Sequence, residues 1–298
     1  MDNSILNNYL TTLGYSDADI KQYLNPESNV FTYPISTLHN TLSVPYVFIQ
    51  NEKDIYTNHI NFWNQNRDNA FIAVGPNQSW IINAKSKPQE SNFLNKSSIC
   101  IKTFDYGTNS IGFEDISISE IRKEYIDSTY FFDFISKSIR TKNEVDKDLL
   151  LNLLTLKEDL YDGSNEKTIH LLVLRCLFVK YLEDRGIFEN GFLLGKLKSY
   201  NPEVLLSAFD KVQRINGDVF KYDVFTSMDI KESYIKKLAL FFSSDYKSGQ
   251  YHLFPYRFDK IPIQLISHVY EAFLSSDKTK EKGIYYTPSF IVDIMLSQ

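Results

Sequence analysis

Cysteine is nearly missing from this sequence. Only Cys100 and Cys176 occur among 298 residues, far apart and each inside an apolar run. No disulfide framework and no metal-ligand spacing can be built from them, and two buried reduced thiols fit a reducing cytoplasm. Long apolar runs are absent as well. The start, Met1-Asp2-Asn3-Ser4, has no basic region, no apolar stretch follows it, and nothing approaches the roughly 20 residues of a membrane-spanning helix. The expectation is a cytoplasmic protein without a membrane partner. An excess of positive charge is also lacking: 32 Lys and Arg face 37 Asp and Glu, for a formal charge of -5. That argues against a stand-alone nucleic-acid binder, because neutralising phosphates takes clustered cations.

What is present points to a folded protein of two ordinary domains. Hydrophobic residues make up 43% and charged residues 23%, enough for sizeable cores. The 20 Tyr and 22 Phe invite a base-stacking reading. They accompany an abundance of Asn, Ile and Lys, however, which points to coding bias. Charge is uneven: Lys231 to Lys282 holds nine basic and six acidic residues, as a solvated helix face also does.

Periodicity divides the chain. Leu6, Tyr9, Leu10 and Leu13 recur at helical spacing, Gly14 stops the helix, and Ser16 caps a second turn through Leu24. Residues 1–30 therefore read as a helical arm. Val44–Ile49 is a β-favouring run and Ile55–Trp63 a helix. Ala70–Val74 and Trp80–Ile82 flank Gly75-Pro76-Asn77-Gln78 as a hairpin, and Ser98–Phe104 alternates as a further strand. An α/β domain with a small mixed sheet is expected over 31–117. Helices follow at Asp146–Leu160, Thr168–Arg185, 192–199, 202–214, 231–243 and 262–275, giving a mainly helical domain over 118–282 and an α+β fold class for the whole.

The end of the sequence carries the most specific signal, Lys282-Gly283-Ile284-Tyr285-Tyr286-Thr287-Pro288, followed by Ser289 to Met295. Thr287 suits an N-cap and Pro288 the first helical position. Gly283 frees the backbone just before. Such a loop meeting a helix N-terminus favours a carboxylate or another anion.

This string resembles the motif that opens the catalytic domain of adenine-specific DNA methyltransferases of the type IIG and type I modification-subunit kind, found in restriction-modification and phage-defence systems. Three upstream segments are similar to the same family: Leu174–Ile187, with Glu183-Asp184-Arg185-Gly186 at its end; Asn216-Gly217-Asp218-Val219-Phe220; and Phe258–Ser267 leading into Val269-Tyr270-Glu271-Ala272-Phe273-Leu274. Together they cover residues 145–298. The resemblance implies S-adenosylmethionine as cofactor and duplex DNA as partner, with a nuclease or specificity subunit as a further one. It implies that Gly283, Tyr285, Tyr286, Thr287 and Pro288 line the cofactor pocket, so that 283–298 opens the methyltransferase domain. The helical region is expected to support that domain and to grip DNA or a partner subunit.

The family's catalytic motif, an Asn/Asp-Pro-Pro-aromatic tetrapeptide that holds the flipped adenine, is not matched by Asn25-Pro26-Glu27 or Asn201-Pro202-Glu203. A Gly-rich loop after a strand is missing too. No catalytic residue is assigned in this chain, and its end at Gln298 in mid-helix reads as a truncation of a longer enzyme. A magnesium-dependent nuclease in the front half would need an acid followed by Asp/Glu-x-Lys on strands. The hairpin offers Asn83-Ala84-Lys85 instead, with Asp54 and Asp68 nearby but outside strands. No metal site is assigned, and the front domain reads as degenerate nuclease-like or structural. A non-catalytic module binding DNA or a defence partner is the remaining alternative.

Overall fold

The computed structural model describes residues 4–36, 41–90, 93–105, 120–139, 144–163, 166–215, 229–243, 255–266 and 268–269. The fold class is α+β, and the chain divides into two units, Met1–Val145 and Asp146–Gln298.

The first unit is built on a six-stranded mixed sheet in sequence order: β1 (Leu24–Asn25), β2 (Val30–Ser36), β3 (Thr41–Phe48), β4 (Ala70–Val74), β5 (Gln78–Asn83) and β6 (Cys100–Asp105). Only β3 and β4 run parallel, pairing Tyr46 with Ile72 and Phe48 with Val74. Parallel neighbours need a crossover, supplied by helix α3 (Glu52–Gln65). Its N-terminus is a capping box, in which the Asn51 side chain and Asp54 satisfy each other's backbone amides.

Side chains alternate across the strands. Ala70, Ile72, Val74 and Ile81 enter one core, whereas Phe71, Ala73, Trp80 and Ile82 enter another, beneath Ile55 and Phe62 of α3. Covered on both faces, β4 is buried throughout and reads as an unbroken apolar run.

The first core also takes in helices α1 (Ser4–Thr12), α2 (Asp17–Tyr23), α4 (Lys123–Asp127) and α5 (Tyr130–Ser136), through Leu6, Tyr9, Ile20, Ile126, Phe131 and Ile135. The helices expected to form a separate arm over 1–30 thus belong with the sheet. So do residues 120–139, placed from sequence in the helical domain beginning at 118. Their apolar faces are completed by the sheet, and buried bonds tie them to it: Tyr9 Oη to Ser79 Oγ at 2.7 Å, and Tyr46 Oη donating to the Ile121 carbonyl at 2.9 Å.

The second unit contains α6 (Val145–Leu160), α7 (Glu166–Asp184), α8 (Phe192–Leu197), α9 (Pro202–Ile215) and α10 (Glu232–Ser243). Ile169, Leu172, Val173, Leu174, Cys176, Leu177 and Val179 are all buried. They surround much of α7, as expected of a helix enclosed by others. Helix α8 packs against α7, α9 and α10. Gly186, at φ +77°, ends α7, with Ile187 N–H bonding back to the Leu182 carbonyl at 3.0 Å. A side chain at that position would be strained in the left-handed region. Of the helix expected over 262–275, residues 263–266 and 268–269 are helical, and 258–260 just before it form a turn. Among the described residues no helix is long and apolar enough to cross a membrane.

Candidate functional site: the ionic end of helix α7

The residues expected to line a cofactor pocket, Gly283, Tyr285, Tyr286, Thr287 and Pro288, lie outside the described residues, as do 216–220 and 270–274. Two of the segments that carry the sequence resemblance are described: 174–187 completely, and 258–266. The fold brings these two into direct contact.

The contact is made by one turn of α7. Arg185 Nε donates to the Phe258 carbonyl at 3.0 Å, and its second guanidinium branch donates to the Ile261 carbonyl at 3.1 Å. Asp184 accepts the Phe258 amide proton at 3.1 Å. The guanidinium also lies 5.2 Å from the Tyr181 ring. Phe258 and Ile261 are buried beside these bonds. A turn with its own peptide groups taken up by charged side chains has little freedom to shift, since charge-assisted bonds are the stronger kind.

Glu183 faces a different neighbour. It is buried, and its carboxylate accepts the amide protons of Gly191 at 3.1 Å and Leu193 at 2.8 Å, at the start of α8. Lys180 bridges the two acids, 2.8 Å from Glu183 and 2.7 Å from Asp184. Burial alone would lower the Lys180 pKa, but its bonds to Asp184 and Glu183 outweigh that and raise it above the ordinary lysine value. It stays charged at neutral pH.

The same turn is held from a second direction. Tyr256 donates to Asp148 Oδ2 at 2.5 Å and contacts the Asn152 amide, both on α6. Arg257 pairs with Asp259 through two bonds of 2.9 Å. Burial pushes the Asp259 carboxyl up, yet Arg257 and Lys260 bring it below the ordinary carboxylate value. Sequence reasoning missed the roles of Asn152 and Tyr256. The one available signal was a polar residue, Asn152, inside the leucine-rich face of α6. Chemically the constellation is a clamp. Its acids and bases are engaged with each other and with backbone, and it presents no nucleophile beside a free base.

In the sheet unit the residues nearest to the nuclease pattern are Asp68, Asn83 and Lys85. The backbone continues the β4–β5 register outward, with Ala84 N–H bonding to the Asn69 carbonyl at 3.0 Å, so Asp68 falls opposite Lys85. The side chains nevertheless serve other partners. Lys85 Nζ donates to the Asn66 carbonyl at 2.7 Å and to Asn66 Oδ1 at 2.8 Å, at the end of α3. The Asn83 amide donates to the Ser98 carbonyl at 2.9 Å, and its oxygen accepts from the Lys85 backbone at 3.0 Å. Asp68 accepts from Ser43 and lines a cleft of about 460 Å³ with Arg67, Asn69 and Phe132.

Nearby, His59 Nε2 lies 3.4 Å from Ser86 Oγ. The serine hydroxyl proton already goes to the Asn83 carbonyl at 2.8 Å. The imidazole is therefore the donor toward Ser86, the reverse of what activating a serine requires. Burial lowers the His59 pKa to about 4, so the ring is neutral at pH 7. Cys100 and Cys176 are free and buried, and burial raises both thiols, which disfavours the reactive thiolate. Among the described residues no group of three His, Cys, Asp or Glu side chains could hold a metal ion.

No protein-family model matches the chain, and neither any curated protein nor any solved structure does.

Proposed function

We propose that this chain is the N-terminal portion of an S-adenosylmethionine-dependent, adenine-specific DNA methyltransferase acting in restriction-modification or phage defence in the cytoplasm. One observation carries the reading. Two separate segments that resemble the family, Leu174–Ile187 and the one beginning at Phe258, are joined by three hydrogen bonds of 3.0 to 3.1 Å. The second of them leads into the Thr-Pro string. Unrelated helical segments give no reason for two such matches to clamp each other.

On this reading the cofactor supplies an electrophilic methyl group for the exocyclic amine of adenine. The chain's own contribution is to fix where its pocket begins. The clamp at Asp184 and Arg185 anchors the 258–261 turn, and Gly283, Tyr285, Tyr286, Thr287 and Pro288, later in the sequence, would hold the donor. The base-binding tetrapeptide would come from sequence after Gln298, and duplex DNA with a nuclease or specificity subunit would be the partners.

The test begins with translation of the reading frame past Gln298, which should show a Gly-rich loop and then Asn-Pro-Pro-Tyr or a close variant. Titration calorimetry of the protein from that whole frame should then find S-adenosylmethionine bound at least about tenfold more weakly in Thr287→Ala, a loss of about 1.4 kcal/mol. A frame lacking both motifs, or equal affinity in the variant, removes the assignment.

A further inference from the structure

We infer that the surface shared by α8 and α9 is a phosphate-gripping contact for duplex DNA, centred on Lys196, Lys211 and the ring of Phe192. The inference builds on the methyltransferase reading, which supplies the duplex as the polyanion, and adds where the second unit would touch it.

Phe192 opens α8. The amides on either side of it, Gly191 and Leu193, are both held by the Glu183 carboxylate, so the residue's backbone is pinned. Its ring stacks on Phe188, with centroids 4.6 Å apart and planes 18° from parallel. Two ammonium groups from different helices converge on this ring: Lys196 Nζ at 5.7 Å and Lys211 Nζ at 5.0 Å.

Several other lysines of the unit are matched by acids. Lys180 pairs with Glu183 and Asp184, Lys231 with Asp162, and Lys236 with Glu232. Lys196 and Lys211 make no ion pair with any described residue, and neither does Arg214, which extends the surface along α9. Lys211 and Arg214 are three positions apart and share a helix face. Acids do occur here: Glu203 and Asp210 on α9 are exposed, while α8 has none. Asp210, next to Lys211 in sequence, is turned about 100° around the helix from it.

Like charges gathered on one ring, with no ion pair to a described residue, repel each other. A ring face offsets part of this by about 0.5–1 kcal/mol per cation at exposed sites. A phosphodiester bridging the two ammonium groups would remove the repulsion outright. The ring gathers the two cations without neutralising them, which suits a polyanion more than a single carboxylate.

Fluorescence anisotropy with the full chain and a labelled 20-base-pair duplex tests this across a salt series. In Lys196→Ala/Lys211→Ala the affinity should fall about tenfold, and the slope of log K against log salt should become shallower by about 2, one for each lost phosphate contact. Lys196→Arg/Lys211→Arg should restore both. Lys53→Ala, on the exposed side of α3, should change neither. Unchanged affinity and slope in the double alanine variant would overturn the surface assignment, as would an equal loss for single-stranded RNA or anionic vesicles bound as tightly as the duplex. If that variant loses duplex binding while the protein from the whole frame transfers no methyl group, the surface stands and the methyltransferase reading fails. Methyl transfer with unchanged duplex binding in the variant gives the opposite outcome.

Discussion

Arg185 Nε donates to the carbonyl oxygen of Phe258 at 3.0 Å, across 73 positions of sequence. The bond converts the polar end of a buried helix into the fixed point of a distant turn. It also makes Arg185, together with Asp184, an anchor of the 258–261 turn.

Replacing Arg185 by Ala leaves the Phe258 and Ile261 carbonyls without their donors. We expect the second unit to lose about 2 kcal/mol, within the range for hydrogen bonds to charged groups. Urea unfolding of the full chain reads this as a lower midpoint. Arg185→Lys should recover less than half of the loss, because a single ammonium cannot reproduce the fork. Full recovery by lysine would mean that charge alone is at work.

Gly75 is sterically confined at the β4–β5 hairpin. Its amide bonds to the Gln78 carbonyl at 2.8 Å. A Cβ there would lie 3.0 Å from the Trp80 ring and 3.1 Å from the Gln78 oxygen. Neither neighbour is a flexible chain end. Gly75→Ala should therefore destabilise the first unit by about 1–3 kcal/mol, the usual cost of overpacking. A thermal scan that shows no downward shift in the first unit's transition would contradict this.

Acid should weaken the first unit through His59. Burial holds its folded pKa at about 4, below the ordinary histidine value of 6.5. Between those values the unfolded chain takes up a proton that the folded one refuses, so stability falls as pH drops. The contribution is complete above about pH 6.5 and lost progressively toward pH 4. For a fully buried ring it is on the order of 3 kcal/mol. Unfolding free energies measured from pH 7.5 to 4.5 should show this slope, and His59→Gln should flatten it. An identical slope in the variant assigns the acid sensitivity to other groups.

Much of the local structure was legible in the sequence because local chemistry sets it. Ser16 and Asp19 form a capping box at α2, and the apolar spacing of Ile55, Phe62 and Trp63 marks α3. The Gly75 turn separates two strands that do pair. Strand β2 was missed because Pro34 interrupts its run. Pro34 is tolerated there because it lies beyond the two residues of β2 that β1 pairs, leaving an edge where a missing N–H costs little. The allegiance of α1, α2 and 120–139 was not legible either. Amphipathic helices declare an apolar face, but not which sheet will cover it. At the candidate site, Glu183-Asp184-Arg185 showed as the polar end of a helix. Their partners lie outside the helix, at 191–193 just beyond it and at 258–261 far along the chain, and nothing in the spacing announced them.

The measurement that bears most directly on the central claim is methyl transfer itself. Protein expressed from the entire reading frame should be incubated with duplex DNA and S-adenosylmethionine carrying a tritiated methyl group, and the DNA then digested to nucleosides. Label eluting as N6-methyladenine is the predicted result. Label confined to methylated cytosine, or none in DNA at all from a protein that binds the cofactor, would contradict it.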